Sequence, residues 1–409
     1  MLSFLYQVPR HIRRNFAFDL SAGVSFGLFF GGVNSFLLVQ AIRLGATPFE
    51  VGLLAALPNI WMLLSPLWAK MFEHKSPFLG VFMADGISRF CLFFLIFHKS
   101  VHWYLLIFAF HYFFSSISVT IYGKAMRQAY PPGIRGTLMG WVRVGSSLAQ
   151  MLSTAFAGFI LPLWGVQYLF AFMAVFGICS SIAFSRIKPV LTESVSVRTE
   201  KKKTVSALTV FFTDPNFRRY MIALFLFGLA NIMTLPAHPL YQVDVLKVSD
   251  KFISLFWLII SFASLVFYFM GGRFIDRYSP VKLTLFVFLA NLGIPVIYIL
   301  TGNQWPLLII ALCQGIVNAG IDLAALNSVL HMAEEDKVNS YMAVHISLLG
   351  IRGTIGPLIA PVLIQFSSFK IFFGLILILN LMGVWWLLSL LKKLAKVDKY
   401  ENLLLGGIK

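Results

Sequence analysis

The sequence predicts an all-α membrane protein in which twelve transmembrane helices form two pseudo-symmetric six-helix bundles. Three observations carry that prediction. The chain has 409 residues, 59% of them hydrophobic and 12% charged, with a mean hydropathy of +0.83. A soluble domain carries roughly 25% charged and about 45–50% apolar residues. Twelve apolar stretches each approach or exceed the ~20 residues that a helix needs to cross a bilayer core of about 30 Å. Finally, a local pattern recurs 203 residues further along the chain.

The spans follow in order. The first, 16–42, opens after a basic segment with Arg10, Arg13 and Arg14. The next five are 48–71, 78–98, 101–124, 137–162 and 165–185. A polar interval, 186–216, then carries Pro189 and the run Lys201, Lys202 and Lys203. Beyond it lie 217–243, 250–272, 280–301, 305–332, 338–364 and 368–392. The expected organisation is a first bundle over 1–188, a linker over 189–213, a second bundle over 214–392 and a tail over 393–409. Pro236 and Pro239 predict a broken outer end for span seven. No cleavable signal peptide is read at the start. Cys91, Cys179 and Cys313 lie far apart in apolar runs, with no metal-ligand spacing and no disulfide framework.

Charge sets the expected orientation. The net charge is +17, yet the basic residues gather at the ends of apolar stretches and form no nucleic-acid-binding face. Segments on the side of the N-terminus hold 25 Lys and Arg, and the opposite side holds five: Arg43, Lys99, Lys247, Lys251 and Lys370. The positive-inside bias then places both termini and the middle loop in the cytoplasm.

Residues 69–77, AKMFEHKSP, match residues 272–280, GRFIDRYSP, as small, basic, apolar, apolar, acidic, basic, any, Ser, Pro. The same offset aligns 133–140 with 336–343 and brings Trp103 to within one residue of Trp305. Arg13-Arg14 matches Arg218-Arg219 at a closely similar offset. Four matches in near-constant register imply a duplicated six-helix unit whose halves run in the same direction.

The stretch with Gly272, Asp276, Arg277 and Lys282 resembles the signature loop of the major facilitator superfamily, of the bacterial type. It lies between spans eight and nine, where that family repeats the signature it carries between spans two and three. Here the first copy has Ala69, Glu73 and His74 in the glycine, Asp and Arg slots, followed by Lys75. The glycine-proline motif that the family's drug/proton antiporters carry on span five is absent there; Gly350, Gly353, Gly356 and Pro357 form a similar cluster on span eleven. The resemblance implies the family's fold and a central cavity lined by spans one, four, seven and ten. It also implies a cytoplasmic gate at Glu73, His74, Lys75, Gly272, Asp276, Arg277 and Lys282. The other reading of these loops is that they anchor topology.

Ionisable groups within spans need a reason, since each costs at least ~2.5–3.5 kcal/mol at mid-bilayer unless paired or hydrated. Asp322 on span ten and Arg352 on span eleven differ in depth by about 6 Å at 1.5 Å per residue, which predicts a pair between them, either structural or exchanging with substrate or a proton. Gln314, Asn318 and Asp322 share one helix face, as do His111, Ser115, Ser118 and Tyr122. The 203-residue offset maps His111 to Gln314 and Ser115 to Asn318. These stripes are expected to line a cavity; His111 taken alone reads equally as a buried, hydrogen-bonded histidine. Asn34, Asn231 and His238 are further cavity candidates. Asp85 and Arg89, four residues apart, read as a structural pair, and Arg143 as a snorkelling residue.

No HExxH, Ser/His/Asp set or paired carboxylates support an enzyme, and no GxxxxGK[ST] supports ATP as the energy source. No repeated pore element supports a channel. The expected function is a secondary active transporter for a small organic solute, working by alternating access in the cell inner membrane, proton-coupled and favouring efflux. Uptake of an anionic nutrient or a metal chelate is the alternative, and a non-transporting receptor on a transporter scaffold is the alternative of another class. Membrane lipid is an expected partner. No cofactor, catalytic residue, metal or nucleic acid is expected, and the chain is expected to be a monomer.

Overall fold

The computed structural model describes residues 8–190, 207–277, 279–334 and 337–406. Its first helices are α1 (Arg10–Asn34), α2 (Leu37–Arg43), α3 (Pro48–Met62), α4 (Ser65–Met71) and α5 (Pro77–Phe90), the last continued by a 3₁₀ turn over Cys91–Ile96. Next come α6 (Val101–Ala129), α7 (Pro132–Trp164), α8 (Val166–Ser185), α9 (Ala207–Thr213) and α10 (Pro215–Leu240). The chain then forms α11 (Asp250–Arg277), α12 (Pro280–Leu300), α13 (Leu307–Met332), α14 (Val338–Phe366) and α15 (Phe369–Gly406).

Among the described residues, eleven helices are long and apolar enough to cross a membrane, and the bent pair α3–α4 makes a twelfth candidate. Water is absent from a bilayer core, so helices that satisfy their own backbone groups are the economical way to span it. The α3–α4 bend of 41° has a covalent cause. Pro66, in the first turn of α4, has no N–H to offer the carbonyl four residues earlier, and Pro58 lies inside α3. At the start of α3, Thr47 and Glu50 form a reciprocal capping box.

Three local features depart from the sequence reading. The interval read as a loop contains α9, whose Val210 is buried against a core that includes Phe217 and Tyr341. The segment read as a tail is helical to Gly406, because α15 meets no glycine or proline between Val384 and that residue. The helix α10 does not break at Pro236 or Pro239; it runs through both and widens into a π-helical turn over Tyr241–Val245. The wider turn absorbs the hydrogen-bond mismatch without ending the helix.

The chain divides into two compact units: Met1–Thr199 with Pro239–Leu258, and Glu200–His238 with Ile259–Lys409. The first turns of α11 group with the first unit. There Arg43 pairs with Asp250 and donates to the Val248 carbonyl at 3.0 Å. Gln40 donates to Asp250 at 3.2 Å, and Ser254 donates to the Thr154 carbonyl at 2.9 Å.

In the first unit α1 lies directly against α7. Gly23, Gly27 and Gly31 stand at i, i+4 and i+8, and a Cβ on any of them would collide with Val142, the Ser146 carbonyl or the Gln150 carbonyl, respectively. Small residues in this spacing let two backbones approach where lipid supplies no hydrophobic drive. Hydroxyls stitch the seam: Ser153 donates to the Leu28 carbonyl, and Thr154 to the Gly31 carbonyl at 3.1 Å. In the second unit, Phe227 of α10 stacks on Phe288 of α12 with centroids 4.0 Å apart. Asn291 of α12 donates to Asn380 of α15 at 3.1 Å.

The seam predicts a contrast between two glycines. Gly27→Val should destabilise the purified protein by about 1–3 kcal/mol, as overpacking does, and lower its melting temperature. Gly86→Val, where no atom lies within 4 Å of the added Cβ, should leave melting near wild type.

Candidate functional site

A cleft of about 80 Å³ opens in the first unit between α1, α5 and α6. The helix α1 presents Phe26, Phe30 and Asn34 at i, i+4 and i+8, so they share one face. Phe29 and Val33 complete that wall. Opposite stand His111, Tyr112 and Ser115 of α6, with Ser88 and Arg89 of α5 at the base. Asn34, His111 and Ser115 thus border one cleft, whereas Ser118 and Tyr122 of the same predicted stripe are not among its lining.

His111 is buried and held at one nitrogen. Its Nδ1 lies 3.0 Å from the Ser88 carbonyl, and Ser88 Oγ lies 2.9 Å from both that nitrogen and the His111 carbonyl. A carbonyl only accepts, so Nδ1 carries the hydrogen and Nε2 is the acceptor of the neutral ring. Nε2 has no protein partner among the described residues. Phe29, Phe108 and Tyr112 surround the ring at centroid distances of 5.9, 5.8 and 5.1 Å.

The expected Asp85–Arg89 pair is present at 2.9 Å, and it does more than hold one helix together. The Arg89 guanidinium donates to Ser181 Oγ at 2.6 Å and to the Gly177 carbonyl at 3.2 Å, joining α5 to α8. It also lies 5.5 and 5.6 Å from the ring centroids of Phe26 and Phe29. Arg89 therefore supplies the cleft with a fixed, partly neutralised cation on an aromatic floor. The lining of the cleft is mainly aromatic, with a few hydrogen-bonding groups and one cation.

In the second unit, Gln314 Nε2 donates to Asn318 Oδ1 at 2.9 Å, and Gln314 Oε1 is buried without a partner among the described residues. Asp322 is exposed and accepts from Tyr268 of α11 at 2.6 Å. The expected Asp322–Arg352 ion pair does not form. Arg352 is buried and turns the other way, donating to the Leu224 carbonyl of α10. Its guanidinium fills the notch at Gly228, where a Cβ would overlap it, and its Nε is buried without a partner. Sequence spacing reports depth along a helix; the direction round the axis that each side chain takes is set by neighbours, here Tyr268 and the Gly228 notch. Of the span-eleven glycines, Gly356 packs against Leu229, Ile232 and Met233 of α10, whereas Gly350 has nothing within 4 Å of an added Cβ.

The remaining candidates separate. His238 stacks on Tyr298 at 4.7 Å, with Phe373 at 6.1 Å, and its Nε2 is buried without a partner. His238 thus belongs to an aromatic stack and is itself half-buried. Asn231 is half-buried on α10. Glu73, His74 and Lys75 are exposed after α4, and Lys124 of α6 donates to the carbonyls of Phe72 and Glu73. In the second copy of the loop, Arg277 and Lys282 are exposed; the side chains of Gly272 and Asp276 lie outside the described residues. So do Lys201, Lys202 and Lys203.

Two groups escaped the sequence reading. Asp19 on α1 is buried and accepts from Tyr130 at 2.9 Å, with no cation within ion-pair distance among the described residues. It lies near the start of the span read as 16–42, whereas α1 begins at Arg10. The aromatic wall at Phe26, Phe29, Phe30 and Tyr112 carried no signal in a chain with 42 Phe. The i, i+4, i+8 stripe that joins two of those rings to Asn34 was the available clue.

Gly228→Ala should displace Arg352 and lower stability by about 1–3 kcal/mol. In an Arg352→Ala background the same change should cost much less, as read by paired melting curves. Asp322→Asn and Arg352→Gln should behave independently, with a coupling energy in a double-mutant cycle within about 0.3–0.5 kcal/mol of zero. A compensating double variant would contradict the observed geometry.

A sequence profile described as Major Facilitator Superfamily matches residues 20–305 and 246–403. No curated protein matches the chain in sequence. Among solved structures, a crystal structure of a mutant of the nucleoside transporter NupG is similar, with a TM-score of 0.73 and 11% identity; the match covers 91% of this chain and 99% of that one. An inward-facing, unoccupied structure of a bacterial homologue of the human lysosomal transporter Spinster is similar at a TM-score of 0.66 and 13% identity, covering 92% and 95%. The occupied inward-facing form gives 0.66 and 11%, covering 93% and 96%. At these identities the likeness is one of fold.

Proposed function

Since the chain belongs to the major facilitator superfamily and is one of its secondary transporters, we propose that it exports an amphipathic organic solute in exchange for protons. The observation that supports this reading is the cleft of the first unit. Its walls are largely aromatic, while Asn34, His111, Ser115 and Arg89 offer a small set of polar contacts. Such a site favours a ring-bearing or apolar solute with few hydrogen-bonding groups over a sugar-like one. An anionic solute taken up from outside is the second reading, favoured by Arg352, which is buried with no acidic partner among the described residues.

Alternating access needs gates. We assign the cytoplasmic gate to the two loops with Glu73, His74, Lys75, Gly272, Asp276, Arg277 and Lys282. The clasp of Lys124 on the first loop supports a mechanical role there. The coupling proton is assigned to Asp322, which has a hydroxyl partner and no cation among the described residues. Both termini and the linker face the cytoplasm of the cell membrane in this reading, supported by the distribution of Lys and Arg.

The test is flux in proteoliposomes holding the purified protein, with and without a pH gradient. The panel contains aromatic cations, neutral amphipaths and organic anions. Gradient-driven movement of cations or neutral amphipaths is expected, and movement of anions alone would favour the second reading. Asp322→Asn should abolish gradient-driven flux while solute exchange persists; full gradient-driven flux by that variant would remove Asp322 from coupling and leave His111 and Asp19 as candidates. Arg277→Ala should keep the fold and slow transport. For orientation, Ser196→Cys in a cysteine-free background should react with an impermeant thiol reagent only after cells are permeabilised.

A further inference from the structure

A second cleft, of about 550 Å³, lies at the start of α1, away from the aromatic site. Its lining includes Arg10, His11 and Arg14 from the first turns of α1, and Lys188 with Pro189 from the segment after α8. Arg10 and Arg14 are one helical turn apart and share a face. Asn15 fixes the opposite wall: its Nδ2 donates to the Lys188 carbonyl at 2.7 Å, and its Oδ1 accepts from the Lys188 N–H at 3.1 Å. The same side chain, buried in the unit, approaches the Ala129 carbonyl at 3.4 Å. The backbone that carries Lys188 is therefore held against α1 by a specific pair of hydrogen bonds.

Among the described residues, the charges in this cleft are uncompensated. Arg10, Arg14 and Lys188 are exposed. No acidic side chain lines the cleft, and none of the three cations forms an ion pair among the described residues. Three like charges around one cavity repel until an anion enters. A phosphate group suits that position, since its oxygens accept two parallel bonds from an Arg fork and a further bond from a Lys ammonium. The cleft also sits at the edge of the apolar part of the chain. Ile12 and Phe16 of the same helix are buried, and Phe18 lies 5.7 Å below the Arg14 guanidinium. A helix that enters the bilayer here brings the three cations to the level of lipid headgroups, where basic clefts beside transmembrane helices take phosphate-bearing heads.

We propose that Arg10, Arg14 and Lys188 form a binding site for a phosphate ester, occupied by the headgroup of an anionic phospholipid. The site rests on the chain being embedded in a membrane and on none of the assignments of solute, coupling or sidedness. The lipid's phosphate lies between α1 and the segment after α8, so its occupancy ties the first helix of the unit to the end of the sixth span. His11 borders the same cleft as an additional hydrogen-bonding group.

The experiment uses the purified full chain in neutral detergent and reads melting temperature and lipid adducts by native mass spectrometry. The probes are phosphatidylglycerol, phosphatidylcholine and inorganic phosphate. Phosphatidylglycerol should raise the melting temperature and survive as an adduct, while phosphatidylcholine should do neither. The variant Arg10→Gln/Arg14→Gln/Lys188→Gln should weaken the apparent affinity for phosphatidylglycerol about a hundredfold, the three surface charges acting together. Lys392→Gln/Lys393→Gln should leave it unchanged. If the triple variant does not fold, Arg14→Gln and Lys188→Gln singly should each reduce adduct survival. Equal response of wild type and variants to phosphatidylglycerol would overturn the proposal. A stabilisation by inorganic phosphate that matches the lipid and is lost in the variants would assign the site to soluble phosphate esters and overturn the lipid occupant. Failure of the transport assay, by contrast, leaves both readouts intact.

Discussion

Close backbone approach between α1 and α7 is the constraint on which the first unit depends. In a bilayer the tails are as apolar as any side chain, so helices gain little by burying leucine against leucine. Association comes from packing and from hydrogen bonds across the contact. Gly23, Gly27 and Gly31 remove the side chains that would hold α1 and α7 apart, and Ser153 and Thr154 bond to carbonyls that the approach exposes. Once that face is committed, the rest of α1 has little freedom. Phe26, Phe30 and Asn34 lie about 100° round the helix from the glycines, and they line the cleft opposite His111 and Ser115. The site is thus a consequence of the seam.

The same device appears in the second unit with a different occupant. Gly228 opens a notch on α10, and the Arg352 guanidinium takes it, bonded to the Leu224 carbonyl. A buried cation without an acid is costly, and the carbonyl offsets part of that cost. Arg89 in the first unit has the fuller arrangement, with Asp85, Ser181 and the Gly177 carbonyl around it and two phenyl rings beneath. The two arginines differ accordingly. Arg89 is held with its charge largely answered and contributes a fixed field to the cleft. Arg352 retains an unanswered Nε, and its position depends on one glycine.

Fold and chemistry separate in this protein. The profile match and the structural likeness identify a superfamily whose members move solutes, at identities of 11–13% that speak to helix arrangement alone. What a given member carries depends on a handful of side chains in its clefts. In the cleft of the first unit those side chains are aromatic in the main, with a histidine whose Nδ1 is already engaged by Ser88.

The sequence by itself determined the number and length of the spans, because a bilayer imposes one apolar period of ~20 residues on every crossing. It also predicted the Asp85–Arg89 pair, which is local to one helix and set by its i, i+4 spacing. Periodicity put His111 and Ser115 on one stripe of one helix; Asn34, on another helix, was only a cavity candidate. Tertiary structure decided everything that depends on rotation about a helix axis. Depth along the chain placed Asp322 near Arg352, yet Tyr268 claims one and the Gly228 notch claims the other. His238 read as a cavity residue and lies in a stack with Tyr298 and Phe373. Asp19, which the sequence did not single out, is buried against Tyr130. Hydropathy fixes where a residue sits along the membrane normal; only the packing of neighbouring helices fixes which way it points.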